Sequence, residues 1–441
     1  MSLNIAQQVQ QKRDKKFYLL VFGCQMNKSD AERLGQILKN IGYSETAKEE
    51  EADLIGVVAC AVRQKAVDRI YGQVRNWQLI KEKRPLITML SGCVLERDRK
   101  MLQDKFDLFI DIKKLDTLAE QIQALAPEEK LALPDFFDIT PSYHSTYRAY
   151  VPIMTGCNKF CTYCAVPYTR GKEVSRSSEN ILTEIKHLLE HSYKEIVLLG
   201  QNVNSYGLDQ ATEIKFPELL KKIDALSDNF WLKFLTSHPY DMSDDLIKVM
   251  REGKNINDYL HLPVQSGSDN MLKRMNRHYS VASYKELINK VRRILPQTAV
   301  STDIIVGFCG ETEAEFQATA QLLDELKYNM SYLSQYSQRS GTAAAKLYKD
   351  DVSPEVKKQR WEELNQILTQ NSLDFNKTLI GQSRDMLVDF VDQENDGYKN
   401  VGKLSNYVAV HVYSDHPLPV GDFSKVKITE AQAWGVRAEV V

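Results

Sequence analysis

The 441-residue chain has no long hydrophobic run. Nothing approaches the roughly 18 consecutive apolar residues that a membrane-spanning helix needs. Met1 to Lys16 is polar, without the apolar stretch of a signal peptide, so a cytoplasmic location with no membrane partner is expected. Glycine (20) and proline (13) are scarce, which excludes collagen-like and low-complexity classes. No charge of one sign dominates: 57 Lys and Arg face 59 Asp and Glu, so any nucleic-acid binding must come from local patches. An even cysteine complement is also missing. The seven cysteines, at 24, 60, 93, 157, 161, 164 and 309, disfavour a disulfide framework and favour metal or redox chemistry. There is no internal repeat and no dimerisation signal, so a monomer is expected.

What is present is a soluble, globular composition, 43% hydrophobic and 26% charged, long enough for two to four domains. From Phe17 to about Asp138, short apolar runs at 17–22, 54–58 and 86–90 alternate with amphipathic stretches, the first opened by Ser29-Asp30. This predicts a doubly wound α/β domain over residues 1–138, with a proline-bearing linker at 127–147. Candidate strands at 149–155, 195–200, 231–236, 259–265, 299–307 and 331–337, with helical patterns between most of them, predict a partial (βα)6 barrel over 147–376. A long helix from Pro354 to about Lys377 precedes three strand-like runs at 386–391, 407–413 and 426–428. These predict a small all-β module over 377–441.

The sharpest motif is Cys157-x3-Cys161-x2-Cys164, directly after the first strand of the second series. Three such thiolates can hold three irons of a [4Fe–4S] cluster and leave the fourth open to a ligand. The alternative, structural zinc, needs four protein ligands, and the local sequence offers no fourth Cys or His. Cys24, Cys60 and Cys93 have no meaningful spacing, but each follows a predicted strand. Strand C-termini of a parallel sheet share one edge, so the three thiols can converge and plausibly bind a second cluster.

The C-x3-C-x2-C loop, with Tyr163 before its last cysteine, resembles the radical S-adenosylmethionine (SAM) superfamily. That resemblance implies SAM chelated at the open iron and cleaved by one electron to a deoxyadenosyl radical. It also implies Tyr163 near the adenine and Gly200-Gln201-Asn202 at the methionine amino group. Ser237, His238, Gln265, Ser301 and Asp303, at or near the ends of later strands, are expected around SAM or the substrate base.

The order of two cysteine triads and a terminal β module resembles the methylthiotransferases, whose last domain is the RNA-binding TRAM module. Gly23-Cys24-Gln25-Met26-Asn27, Val166-Pro167-Tyr168-Thr169-Arg170-Gly171, Gly200-Gln201-Asn202-Val203-Asn204 and His261-Leu262-Pro263-Val264-Gln265-Ser266-Gly267-Ser268 are similar to the branch that acts on isopentenyladenosine beside the anticodon of tRNA. Branches acting on threonylcarbamoyl-adenosine tRNA or on a ribosomal protein are the alternatives, and an iron–sulfur RNA-binding scaffold is the non-enzymatic one. The resemblance implies two [4Fe–4S] clusters, two SAM per product, sulfur insertion from the auxiliary cluster, an electron donor of flavodoxin or ferredoxin type and an iron–sulfur carrier.

The chain departs from the family pattern at Val58-Ala59, where Asn-Thr is usual, at Glu96 and at Cys309, which replaces a proline and is expected to be a free thiol. Arg170, Lys172, Arg176, Lys273, Arg274, Arg277 and His278 are candidates for phosphate contacts beside the active site. From Lys377 on, seven basic side chains face nine acidic ones, so RNA binding there must use one face, expected at Lys399, Lys403, Lys425 and Lys427 with Tyr398 or Tyr407.

Overall fold

The computed structural model describes residues 14–60, 64–111, 118, 121–122, 141–211, 213–394 and 397–441. Most of the expected linker and the polar segment before Asp14 lie outside the described residues. The chain forms two compact units, residues 1–143 and 144–441.

In the first unit five parallel strands take the order β2-β1-β3-β4-β5: β1 Lys15–Val21, β2 Tyr43–Glu45, β3 Leu54–Ala59, β4 Ile87–Gly92 and β5 Leu108–Phe109. β3 is buried along its whole length because helices cover both faces of the sheet. Leu34, Ile37 and Leu38 of helix Gln25–Asn40 pack with Phe17, Leu54 and Val58 on one face. Ile70, Val74 and Trp77 of helix Gln64–Lys81 pack with Ile55, Val57 and Leu90 on the other. The sheet is doubly wound, and the order in which strands are added reverses between β1 and β3, the switch point where such sheets bind ligands.

The first helix begins at Gln25, four residues earlier than Ser29-Asp30 suggested, with Cys24 at the N-cap position. Ser29 and Asp30 are buried within the helix instead of capping it. The tie that draws the first turn onto the sheet edge is Asn27, whose Nδ2 donates to the carbonyls of Phe22 (2.6 Å) and Ala59 (2.8 Å). Strands β2 and β5, three and two residues long, carry too little alternation to be read from sequence.

The second unit starts with six parallel strands, β6 Arg148–Pro152, β9 Glu195–Leu199, β10 Trp231–Phe234, β11 Tyr259–His261, β12 Ala299–Val306 and β13 Met330–Gln335. They form two three-stranded sheets, β6-β9-β10 and β11-β12-β13. A bridge at Leu232 and Ile256 joins the two, with Leu232 N–H to Asn255 O at 2.7 Å and Asn257 N–H to Leu232 O at 2.9 Å. The expected partial barrel is therefore present. A short antiparallel pair, β7 Met154–Thr155 with β8 Val174–Ser175, brackets the cysteine loop and was not foreseen.

Helix Pro354–Lys377 leads into a closed barrel, β14 Ser383–Glu394, β15 Gly397–Leu404, β16 Ala409–Ser414, β18 Gly435–Val440 and β17 Phe423–Gln432 in spatial order. Its core is Met386, Val388, Leu404, Val410, Val412, Val426, Ile428 and Val436. Two strands, β15 and β18, escaped the sequence reading. Gly402 explains part of this: a Cβ there would lie 2.2 Å from the Leu387 carbonyl, so a residue that weakens the strand signal is the one that permits the pairing.

This barrel docks against the N-terminal ends of the parallel strands through buried charges. Glu195, fully buried, accepts from Lys403 Nζ at 2.8 Å and from Arg148, which also pairs with Asp389. The Tyr407 ring lies against the buried Lys233 and, at 5.2 Å, against Tyr259. The expectation that Lys403 grips RNA is thereby corrected, because it is spent on the domain junction, whereas Tyr407 packs there and keeps part of its ring exposed. Lys425 and Lys427 stay exposed and Lys399 half-buried.

Candidate functional site

The cysteine loop leaves β7 at Gly156, whose φ of +82° suits glycine. A Cβ there would meet the Lys172 carbonyl at 1.9 Å. The loop is pinned from both sides. Cys157 N–H donates to Gly171 O at 3.1 Å, and Gly156 N–H to Gln201 Oε1 at 2.5 Å. Across the mouth, Thr162 N–H reaches Met275 O at 3.1 Å and Asn276 Nδ2 reaches Phe160 O at 3.0 Å. Phe160 itself has φ +48° and is half exposed.

Burial pushes the Cys157 thiol up to about 11 and the Cys164 thiol up to about 12, so both hold protons that a metal must displace. Among the described residues, no three or more His, Cys, Asp or Glu gather closely enough to hold one metal ion. Three thiolates can serve three irons of a [4Fe–4S] cluster, whereas a structural zinc site needs four protein ligands. Gly156→Ala is expected to cut the iron content of the reconstituted protein by about half, the other triad keeping its share, as measured by iron and sulfide assay.

Beside this loop, three successive strand ends carry buried polar atoms without a hydrogen-bond partner: Asn202 Oδ1 after β9, Ser237 Oγ and His238 Nε2 after β10, and Gln265 Oε1 after β11. Asn202 is oriented by its Nδ2, which donates to Asp241 Oδ2 at 2.7 Å. His238 Nδ1 accepts from Tyr240 N–H at 3.2 Å, which leaves Nε2 as the protonated nitrogen. Burial, with help from the cations Arg277 and Lys159, pushes the His238 pKa down to about 2, so the ring is a neutral donor. Thr236 and Gln265 have φ of +67° and +75°, a conformation non-glycine residues rarely adopt. Two acceptors, one donor and a hydroxyl at three successive strand ends fit a ligand that carries both amino and hydroxyl donors and a carboxylate acceptor.

The remaining expected residues fall in different places. Tyr163 packs edge-on against Phe308 (6.4 Å), over an apolar cluster of Met271, Met275 and Cys309. Cys309 is a free thiol, fully buried there, and burial raises its pKa. Gly200 lies against Met154, and Gln201 is engaged by the loop backbone. Ser301 is turned to Tyr259 OH (2.6 Å) and His261 Nδ1 (2.8 Å), and Asp303 Oδ2 lies 3.5 Å from His261 Nε2. Neither belongs to the orphaned group. His261, which opens the quoted His261-Leu262-Pro263 motif, is held by these two side chains.

The phosphate-patch expectation is corrected for its arginines. Arg170, Arg176 and Arg277 are buried, Arg176 in an ion pair with Glu184 at 2.5 Å, and Arg274 lies over the Tyr348 ring at 4.8 Å. Lys172, Lys273 and His278 remain exposed.

In the first unit, Cys24, Cys60 and Cys93 follow β1, β3 and β4 at the switch point. The strand ends are laced together by Phe22 N–H to Val58 O and Cys93 N–H to Ala59 O, both 2.9 Å, and by the two bonds from Asn27. A Cβ on Gly23 would lie 2.7 Å from Cys60 Sγ, so Cys60 sits directly against the residue before Cys24. The first turn of helix Gln25–Asn40 has no side-chain cap and no acidic residue, and Cys24 stands at its N-cap position, at the positive end of the helix dipole. At Val58-Ala59 it is the backbone carbonyls that serve this edge. Asn27 was overlooked as a site residue, though it lies in the quoted motif.

Comparisons with known proteins agree with this architecture. Residues 151–323 match the Radical SAM superfamily, residues 16–111 the Uncharacterized protein family UPF0004, and residues 377–441 the TRAM domain. The fold is also that of the radical SAM methyltransferase TsrM from Kitasatospora setae (TM-score 0.55, 12% identity, 75% of this chain and 77% of that one). The cobalamin-dependent radical enzyme OxsB is similar as well (TM-score 0.51, 14% identity, 80% and 56%). Fold and cysteine loop together define a radical SAM protein.

Relatives narrow the class. The tRNA-2-methylthio-N(6)-dimethylallyladenosine synthase of Clostridium botulinum (strain Langeland) is 38% identical over 96% of this chain and 97% of its own length. That of Dictyoglomus thermophilum is 38% identical over 97% and 98%. The chain belongs to the tRNA-2-methylthio-N(6)-dimethylallyladenosine synthase family.

Proposed function

We propose that this protein is a radical SAM methylthiotransferase that converts N6-isopentenyladenosine, beside the anticodon of tRNA, to its 2-methylthio derivative. The observation that carries the reading is the set of four orphaned polar atoms beside the Cys157/Cys161/Cys164 loop, in a chain that brings a second cysteine triad to another sheet edge. Cys157, Cys161 and Cys164 would hold one [4Fe–4S] cluster and Cys24, Cys60 and Cys93 an auxiliary one. When bound, the first would supply the electron for SAM cleavage and the second the sulfur for insertion. An aromatic C–H has no usable acid–base route, so the protein's task is orientation and exclusion of water. Asn202, Ser237, His238 and Gln265 bind the polar groups of SAM, and Tyr163 borders its adenine.

RNA has two surfaces to meet. At the cluster loop, Phe160 and Tyr240 are exposed aromatics, with Lys159 Nζ 4.9 Å from the Tyr240 ring centre. On the terminal barrel, the cross-strand partners Lys399 and Tyr413, and His411 and Arg437, form a basic and aromatic face. Burial, with help from Lys399 and Arg437, holds His411 below its ordinary pKa. A flavodoxin- or ferredoxin-type donor and an iron–sulfur carrier complete the expected partners.

The test is nucleoside mass spectrometry after anaerobic incubation of cluster-reconstituted protein with SAM, reductant and isopentenylated tRNA. The methylthio nucleoside should appear, and should be absent with unmodified tRNA. Deoxyadenosine without a tRNA product would move the substrate to threonylcarbamoyl-adenosine tRNA or a protein. No consumption of SAM at all would leave only a scaffold.

A further inference from the structure

Arg277 is buried, and its guanidinium is fixed on three sides. Nε donates to Tyr279 OH at 2.8 Å, Nη2 to the Pro263 carbonyl at 2.7 Å and Nη1 to Cys161 Sγ at 3.3 Å. Its backbone N–H is tied to Leu272 O at 2.8 Å, and the Tyr279 hydroxyl lies within hydrogen-bond reach of the Pro263 and Val264 carbonyls. Two of the three acceptors are neutral oxygens. Among the described residues no carboxylate pairs with Arg277, whereas the buried Arg360 has Glu311 at 2.9 Å and the buried Arg176 has Glu184 at 2.5 Å.

An arginine does not shed its proton in a protein, and an unpaired buried charge is costly. The chain keeps this cation out of water and aims one N–H at a cysteine sulfur, so the missing negative partner belongs at Cys161.

We infer that Arg277 is the buried counter-charge of the Cys157/Cys161/Cys164 site, a positioning residue whose N–H bond to Cys161 makes a cluster held there easier to reduce. The inference rests on the cluster assignment proposed above. Hydrogen bonds to cluster sulfurs and a nearby fixed cation both favour the more negative, reduced state, and the effect is large where water is excluded. The residues that hold Arg277 also hold the cofactor edge: Tyr279 packs against His238 at 5.7 Å, and His238 is one of the orphaned donors.

The test uses the full-length, reconstituted protein, with iron and sulfide content as the loading control and redox titration followed by electron paramagnetic resonance as the readout. Cys24→Ala is carried as a background so that only the barrel site contributes signal. Arg277→Gln is expected to lower the equilibrium for one-electron reduction by about tenfold, a midpoint shift of about 59 mV to more negative potential. Arg277→Lys keeps the charge but loses the fork and should fall between Gln and the parent. Tyr279→Phe, which frees Nε, should shift the midpoint in the same direction by less.

A fully loaded Arg277→Gln with the parent midpoint overturns the inference, since a merely structural residue would change loading and not potential. If Arg277→Gln does not load, parent midpoints in both Arg277→Lys and Tyr279→Phe overturn it equally. If the parent protein itself loads no cluster in the barrel unit, the proposed function fails instead.

Discussion

Cys157→Ala abolishes deoxyadenosine formation, while Cys24→Ala preserves it and abolishes only the methylthio product: this is the expected outcome of incubating each reconstituted variant with SAM, reductant and isopentenylated tRNA. The expectation follows from where the two triads stand. Cys157 belongs to a loop clamped between the β7–β8 pair and the segment around Met275, next to the orphaned polar atoms. Cys24 stands at the switch point of a different sheet, in a unit with its own two hydrophobic layers. Each triad is therefore built on a core that the other substitution does not touch. Liquid chromatography with mass detection reads both products in one sample. Equal loss of deoxyadenosine in both variants, with circular dichroism unchanged, would sink the division of labour and leave one shared site.

The same separation explains what the sequence could disclose. Both triads were legible because each follows a buried strand, and the apolar run of a parallel strand is a strong signal. The order of the six parallel strands was legible for the same reason, and helix Pro354–Lys377 came with its own start signals, Ser353 capping Val356 N–H and Pro354 in the first turn.

What stayed hidden depends on long-range partners. Asn27 looks like any polar residue until the Ala59 carbonyl, 32 positions away, is beside it. Arg277 reads as a member of a surface patch with Lys273, Arg274 and His278. Only the turn after Arg274 sends it inward to Cys161, 116 positions back. Ser301 is a plausible ligand residue by position, yet its register opposite His261 commits it to that neighbour. Charge counts misled most at the terminal barrel, where Lys403, one of four lysines expected to meet RNA, is buried in the domain junction.

That junction supports the second large effect. Glu195→Ala is expected to release the terminal barrel from the parallel strands at a cost of about 3–5 kcal/mol, the range for breaking a buried ion pair by removing one partner. The substitution leaves Arg148 and Lys403 buried with only Asp389 in reach of both, beside Lys233, whose pKa burial already holds well down. Glu195→Ala with Lys403→Met should recover part of the loss, because one buried basic side chain fewer is then left without its carboxylate. Trp231 packs on Phe423 across this junction at 4.9 Å, so the part of the tryptophan emission in a urea titration that is lost in Trp231→Phe reports undocking.

The pH dependence has a definite sign. Burial pushes the Glu195 carboxyl upward, but Lys403, Arg148 and Lys233 outweigh it and hold the pKa below the model-peptide value of 4.5. A carboxyl depressed in the folded state contributes stability above its unfolded pKa and loses it as pH falls through the folded one. Docking should therefore be insensitive to pH near neutrality and weaken on acidification below about pH 4.5. In Glu195→Gln that acid-induced step should shrink. An acid transition of unchanged size in Glu195→Gln would assign it to another carboxylate, with Asp389 as the next candidate at the same junction.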